Sequence, residues 1–330
     1  MEVLKNEYSR QYNRAPKVVA VGGGTGLSTL LRGLKEYTPN IVAVVTVADD
    51  GGSSGMLRKD MGILPPGDIR NCVLALADVE PIMEQVLQYR FKEGALKGQN
   101  LGNLFIAAMT DIANGFELAV EQISSVLAIT GHVYPVSLDD LRLGARLKDG
   151  TVIYGESKIP DEQISRNSPI EEVFLIPDKC KANQKVLKAI EDADIIVLGP
   201  GSLYTSLIPN LLVKGVSEAI RNSNGIKVYV SNIMTQPGET TGYSLSDHIK
   251  AIYQHAGNEF FDYVIVNNQK PPLEIAKRYE EENAYPVSYN AKEIEEMGIK
   301  IIALDVADFT GGLIRHNSRK LAHTVVSLAK

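Results

Sequence analysis

Gly22-Gly23-Gly24-Thr25-Gly26 places four glycines in five positions, between the apolar run Val18 to Val21 and the helical pattern Thr29-Leu30-Leu31-Leu34. Glycine lets the main chain turn sharply and approach a ligand where any Cβ would obstruct it. A helix starting directly after such a loop turns its unpaired amides and the positive end of its dipole toward it. The chemistry predicted is anion binding by backbone alone, with phosphate or pyrophosphate as guest. A tight turn that only packs the first helix on its sheet is the alternative, although packing alone needs fewer glycines. The spacing departs from the dinucleotide fingerprint: counted from Gly22 its three glycine positions hold Gly22, Gly24 and Leu27, and counted from Gly24 they hold Gly24, Gly26 and Thr29. No Lys-Ser or Lys-Thr closes the loop, which excludes a P-loop.

A second apolar run, IVAVVTVADDGGSSG, brings Asp49 and Asp50 to a strand end and continues into a Gly/Ser loop with Ser53 and Ser54. The C-terminal edge of an open α/β sheet is where ligands bind. Asp49 follows Gly26 by 23 positions, near the spacing at which a nucleotide-binding fold holds a ribose hydroxyl, and the pair equally suits magnesium or a substrate hydroxyl. A solvated turn is the alternative, since Asp and Gly are ordinary turn residues. The segment DIIVLGPGSLYTSLIPNLL repeats the logic of the first loop. Here the backbone amides of Gly199 and Gly201 and the hydroxyl of Ser202 are expected to hold a second phosphate, a ribose or a sugar, with Tyr204 placed to stack or hydrogen-bond. A capped helix start explains the same residues without a ligand.

Between these loops, LPPGDIRN offers Asp68, Arg70 and Asn71 at a helix start. Asp68 reads first as a cap, whereas the Arg70 fork suits a phosphate. GQNLGNL presents Asn100 and Asn103, as partners of a base or sugar or as caps. Asn232 ends the strand KVYVSN and precedes a loop whose Thr235, Glu239 and Thr240 are placed to cover a cleft or to form a flexible surface. DYVIVNN brings Asn267 and Asn268 to another strand end, where amides suit base or ribose recognition.

Taken together in this order, GGGTGLSTLLRGLK, TVADDGGSSGMLR, LPPGDIRN, GQNLGNL and LGPGSLYTSLIPNLL resemble the YvcK-type gluconeogenesis factors, a branch of the superfamily that also holds the CofD 2-phospho-L-lactate transferases. The likeness runs from Lys17 onward. It implies a Rossmann-like nucleotide-binding fold, a cytoplasmic location, a role in carbon metabolism and cell shape on gluconeogenic carbon sources, and binding of UDP-sugars such as UDP-N-acetylglucosamine, with no reaction implied for this branch. A Tyr and an Arg implicated in UDP-sugar binding in that branch match Tyr279 in AKRYEEE and Arg315 in GLIRHNSRK; an exposed helix Tyr and a helix-flanking basic cluster are the alternatives. His316 beside Arg315 is by itself weak evidence for chemistry. A CofD-like transfer of a phospholactyl-type group, with Asp49 or Asp50 binding magnesium or orienting the acceptor, is the second function, and an NAD-binding oxidoreductase the third. Leu27-Ser28-Thr29 stands where the transferases tend to carry Gly-Pro-Lys, and losing that Lys removes a charge that neutralises phosphate. No Ser-His-Asp or Cys-His arrangement or dense metal-ligand cluster is evident, which favours binding over catalysis.

The elements that must position these residues alternate strand and helix, the pattern of a Rossmann-like, doubly wound, mostly parallel α/β sheet. Residues 1–16 read as a polar tail and residues 17–330 as one domain. Within it, residues 124–177 change to short segments, with an Asp149-Gly150 hairpin signal, and read as a small antiparallel β insertion. A length of 330 residues with 44% hydrophobic content is enough for a full core. The net charge of −6 argues against non-specific nucleic-acid binding. Cys72 and Cys180, unpaired in spacing, suit a reducing cytosol, and neither a membrane span nor a signal peptide is evident. Expected partners are a nucleotide or nucleotide-sugar ligand and unidentified proteins, with a homodimer also open.

Overall fold

Runs of Val, Ile and Ala that are apolar on both faces form strands only where helices cover both sides of the sheet. The structure, a computed structural model, describes residues 15–257 and 259–329, so residues 1–14 of the expected tail lie outside the described residues. The strands in chain order are β1 (Val18–Gly22), β2 (Ile41–Val45), β3 (His132–Pro135), β4 (Arg142–Leu147), β5 (Val152–Tyr154), β6 (Ile170–Ile176), β7 (Ile195–Leu198), β8 (Ile226–Val230), β9 (Tyr263–Asn267), β10 (Lys300–Leu304), β11 (Ala307–Asp308) and β12 (Arg315–His316). Seven of them make one sheet in the order β10-β9-β8-β7-β1-β2-β3, with every neighbouring pair parallel. The chain grows outward from β1 through β2 to β3, then returns to β7 on the other side of β1 and grows the opposite way. That reversal opens a crevice beyond the carboxyl ends of β1 and β7. Both glycine loops lie there.

The middle strands are fully buried, from Val18 to Val21 in β1 and Ile195 to Leu198 in β7. Around them the Gly24–Leu34 helix packs against the Gly67–Leu76 and Ser318–Val326 helices, while Gln184–Glu191 packs on Val216–Asn222. The expected insertion is an antiparallel sheet, β5-β4-β6, but its bounds are narrower than 124–177. The segment SVLAIT begins as the end of the Phe116–Val126 helix, and VYPVSL supplies β3 to the parallel sheet. A short strand with two apolar residues carries too little pattern to tell parallel edge from hairpin. The Asp149-Gly150 turn is present, with Thr151 N donating to Asp149 Oδ1 at 2.8 Å.

One loop of the sequence reading is a helix. The Gly/Ser stretch after Asp50 is the Gly52–Met61 helix, whose Ser53 and Ser54 are buried. The stretch after Gly242 enters the Leu245–Ala256 helix through a capping box in which Ser244 and Asp247 satisfy each other's backbone amides. That helix ties the insertion to the main body, because His255 Nε2 accepts Val173 N–H of β6 at 2.9 Å.

Candidate functional site

At the end of β1 the chain leaves the sheet through Gly23 in extended conformation and turns at Gly24, whose φ of +63° lies in the left-handed region that favours glycine. The Gly24–Leu34 helix starts there. Its first amides have no partner within the helix. Ser28 and Thr29 do not reach toward a ligand, since both hydroxyls donate to Thr25 O, at 3.0 and 2.9 Å. Gly26 meets the second loop so closely that a Cβ on it would sit 2.4 Å from Pro200 O. Below the loops, buried Asn210 donates to Gly22 O at 3.1 Å and to Ser206 O at 2.7 Å.

The two loops form one side of a cleft of about 480 Å³, closed by Asn232 to Pro237, the Leu273–Glu281 helix and Ile314 with β12. Of the residues expected at the site, Gly23, Gly24, Thr25, Gly26, Gly201, Ser202, Asn232, Tyr279 and Arg315 line it. Two larger hollows, of about 1120 Å³ beside Gln184–Glu191 and about 570 Å³ beside Arg319, lie away from the strand-order reversal. The smaller cleft is where backbone amides and a cation converge.

Arg315 is exposed at the cleft rim and enters none of the ion pairs among the described residues. It stands on β12, which pairs with β11 in a two-residue hairpin. Tyr279, half-buried, lines the cleft with its ring while its hydroxyl accepts Ile314 N–H at 3.0 Å, so it also fixes the strand that presents Arg315. Gln236, which no sequence motif signals, donates to Ser202 Oγ at 2.9 Å and accepts from Asn232 Nδ2 at 3.3 Å. His316 donates to Ser231 O at 3.2 Å, and burial pushes its pKa down to about 4, so it is neutral near pH 7.

The second loop differs from its expected role. After β7 and Gly199-Pro200-Gly201-Ser202 the chain enters a π-helical turn, Leu203–Leu207. Glu239, 6% exposed, accepts Tyr204 N–H and the Thr205 hydroxyl, both at 3.0 Å. Tyr204 is 2% exposed and its hydroxyl meets that of Tyr243 at 2.8 Å, so it does not stack on a ligand. Glu239 thus supports the loop from behind, and the Thr240 hydroxyl accepts Gln236 N–H at 2.9 Å; Thr235 reaches the cleft, with its hydroxyl accepting Tyr285 N–H at 2.9 Å.

Several residues expected at the site form hydrogen bonds within the fold. Ser53 donates to Gln99 Oε1 at 2.6 Å and accepts Asn100 N–H at 3.1 Å. Asn100 caps the Leu101–Ile112 helix by accepting Asn103 N–H, and buried Asn103 in turn accepts from Arg70 at 2.6 Å. The second Arg70 fork nitrogen goes to Asn71. Asn267 accepts Ala307 N–H at 3.1 Å and donates to Gln269 O at 2.7 Å. Gly22 and Gly199 lie beneath the cleft and not on its surface. A strand-end amide or a helix-start Asn does the same hydrogen bonding for a turn as for a ligand, which is why type and position alone did not separate the two roles.

Asp49 and Asp50 diverge. Asp49 Oδ1 accepts Gly51 N–H and Asp50 Oδ1 accepts Ser157 N–H, both at 2.9 Å. Among the described residues no group of three or more His, Cys, Asp or Glu side chains is arranged to hold a metal ion. Behind the first loop the carboxylates have an electrostatic character of their own. Burial, then the charge of Asp49, pushes Asp68 up to about 7, opposed by the nearby Gly24 amide and by Arg70. Glu156, brought by the insertion, is pushed up to about 8 by burial and then by Asp49, Glu239, Asp68 and Asp50. Sequence reading missed Glu156, since only the folding of the insertion brings it here.

Residues 18–307 match the family model of the 2-phospho-L-lactate transferase CofD. A protein of Thermoanaerobacterium thermosulfurigenes is 57% identical over 317 residues, covering 96% of this chain and 98% of its own length. The gluconeogenesis factor of Bacillus subtilis is 46% identical, with 96% and 98% covered. A crystal structure of a Bacillus halodurans protein superposes with a TM-score of 0.91 at 44% identity, covering 95% of this chain and all of that one. The parallel order of the strands, the crevice at their carboxyl ends and these likenesses over nearly the full length agree: the chain belongs to the CofD family, in the branch of the YvcK-type gluconeogenesis factors.

Proposed function

We propose that the cleft binds the diphosphate of a nucleotide-sugar of the UDP-N-acetylglucosamine type, and that the protein is a cytoplasmic, ligand-responsive regulator that acts through protein partners when bacteria grow and shape their wall on gluconeogenic carbon. The observation that carries this reading is the pairing of an open helix N-terminus, at Gly24 to Gly26, with an ion-pair-free Arg315 across the same cleft. Ser202, Asn232 and Gln236 supply side-chain groups for the sugar or base. No described side chains in the cleft form a nucleophile with an adjacent base, which favours holding a ligand over turning it over. A CofD-like transferase is the second reading, favoured by Asp68 and Glu156, two carboxylates that ionise near neutral pH and so suit proton transfer. The nicotinamide reading has the least support.

Calorimetric titration with UDP-N-acetylglucosamine, GDP and NAD, with and without magnesium, discriminates among the three. The proposal expects the UDP-sugar to bind and to be recovered unchanged. Product formed from UDP-N-acetylglucosamine or from GDP-linked phospholactate would replace it with the transferase.

A further inference from the structure

The first glycine loop already holds an anion that belongs to the protein. The carboxylate of Asp68, from the start of the Gly67–Leu76 helix, lies against the Gly23-Gly24 turn, near enough for the Gly24 amide to favour its charge. Its Oδ2 lies where a Cβ on Gly23 would be 2.6 Å away, and the Thr46 methyl crowds the same point at 2.7 Å, so the carboxylate is fitted into the loop and not merely near it. The Gly24 amide also belongs to the group that a ligand diphosphate would use. Two anions cannot share one helix N-terminus without repulsion.

We propose that Asp68 is an internal competitor for the anion site, which a nucleotide diphosphate occupies fully only when the Asp68 carboxyl is neutral. The inference rests on the nucleotide-binding reading above and adds a control on it: proton uptake accompanies ligand binding. The groups facing Asp68 are the Gly24 amide from the Gly24–Leu34 helix, Asp49 from beyond β2, Arg70 on its own helix and Glu156 from the insertion. Asp49 and Glu156 disfavour its charge. Arg70 favours it, but shares its guanidinium with Asn71 and Asn103. Burial of the carboxyl sets the balance close to neutrality, with ionisation at about pH 7 in the free protein. A diphosphate nearby shifts the carboxyl further toward its neutral form.

The test uses the full chain and UDP-N-acetylglucosamine, whose diphosphate is a diester and keeps its charge across neutral pH. The wild-type protein is expected to lose about tenfold in affinity between pH 6 and pH 8, the range over which a carboxyl of pKa about 7 gives up most of its protons. Calorimetry in two buffers of different ionisation enthalpy is expected to show close to one proton taken up per ligand at pH 8. Asp68→Asn, which keeps the shape and the acceptor for Gly24 without the charge, is expected to bind several-fold more tightly than wild type at pH 8 and to lose both the pH slope and the proton uptake. Weaker or equal binding by Asp68→Asn at pH 8, or a wild-type affinity flat from pH 6 to pH 8, overturns the inference while leaving the binding reading intact. The wild-type profile decides the matter even if the variant fails to fold. Absence of binding by the wild-type protein at every pH overturns the binding reading and this inference with it.

Discussion

The two glycine loops look alike in sequence, each a strand, a glycine cluster and a helix start, yet they are held differently. In the second loop Glu239 takes Tyr204 N–H and the Thr205 hydroxyl, so those donors are spent inside the protein, and Gln236 donates to Ser202 Oγ. In the first loop the side chains of Ser28 and Thr29 turn back on their own helix, and the opening amides face the cleft with only the Asp68 carboxylate against them. A glycine-rich turn before a helix is therefore necessary for a backbone anion site but not sufficient. What decides is which amides remain unclaimed once distant residues have folded over the loop.

Substitution at the loop junction should break this comparison most severely. Gly26→Ala drives a Cβ against the Pro200 carbonyl, backbone against backbone, and should cost about 3 kcal/mol of stability by overpacking, read as a shift of the urea midpoint. The matching change in the second loop, Gly201→Ala, places its Cβ 3.2 Å from the flexible end of Leu207 and should cost less than about 1 kcal/mol. Equal costs for the two would remove the distinction between a junction and a wall. Arg315→Ala should weaken UDP-N-acetylglucosamine binding by about 1.5 to 3 kcal/mol with little change in melting, because the side chain is exposed and charge-assisted bonds to a diphosphate have that size. Glu239→Ala should do the reverse, costing about 1 to 3 kcal/mol of stability by stranding the buried donors of Tyr204 and Thr205. Tighter ligand binding by that variant would mean that the second loop's amides are withheld from the ligand, whereas unchanged stability would show that Glu239 is not its support. A further effect is on pH dependence in the absence of ligand. Asp68 and Glu156 have folded-state pKa values raised above their unfolded ones, so the stability they lend is complete below about pH 4 and is lost as pH rises through about 7 and 8. The melting temperature should fall between pH 6 and pH 9, and Glu156→Gln should flatten part of that fall.

The parallel sheet and the first loop were legible because their signals are local: uninterrupted Val and Ile runs, glycines at a strand end, a helical pattern directly after. The capping box at Ser244 and Asp247 is equally local, but it is masked by a preceding stretch rich in Gly and Thr. Asn103, Ser53, Arg70 and Asn267 all bond to the fold, and their positions do not announce it, since an amide at a helix start or a strand end carries no mark of which partner it will meet. Glu156 and Gln236 were out of reach for the opposite reason. The first arrives on an inserted sheet and the second crosses to Ser202 from 34 positions away, so no spacing near either residue announces it.

The central claim is that a nucleotide-sugar diphosphate sits on the first loop and not the second. A crystal structure of the protein with UDP-N-acetylglucosamine tests it directly. Diphosphate oxygens are expected within hydrogen-bonding distance of the amides of Gly24 to Gly26 and of the Arg315 guanidinium, with Ser202 and Gln236 turned toward the sugar or base. A diphosphate seated on Gly201 and Ser202, with the first loop empty and Arg315 still unpaired, would contradict it.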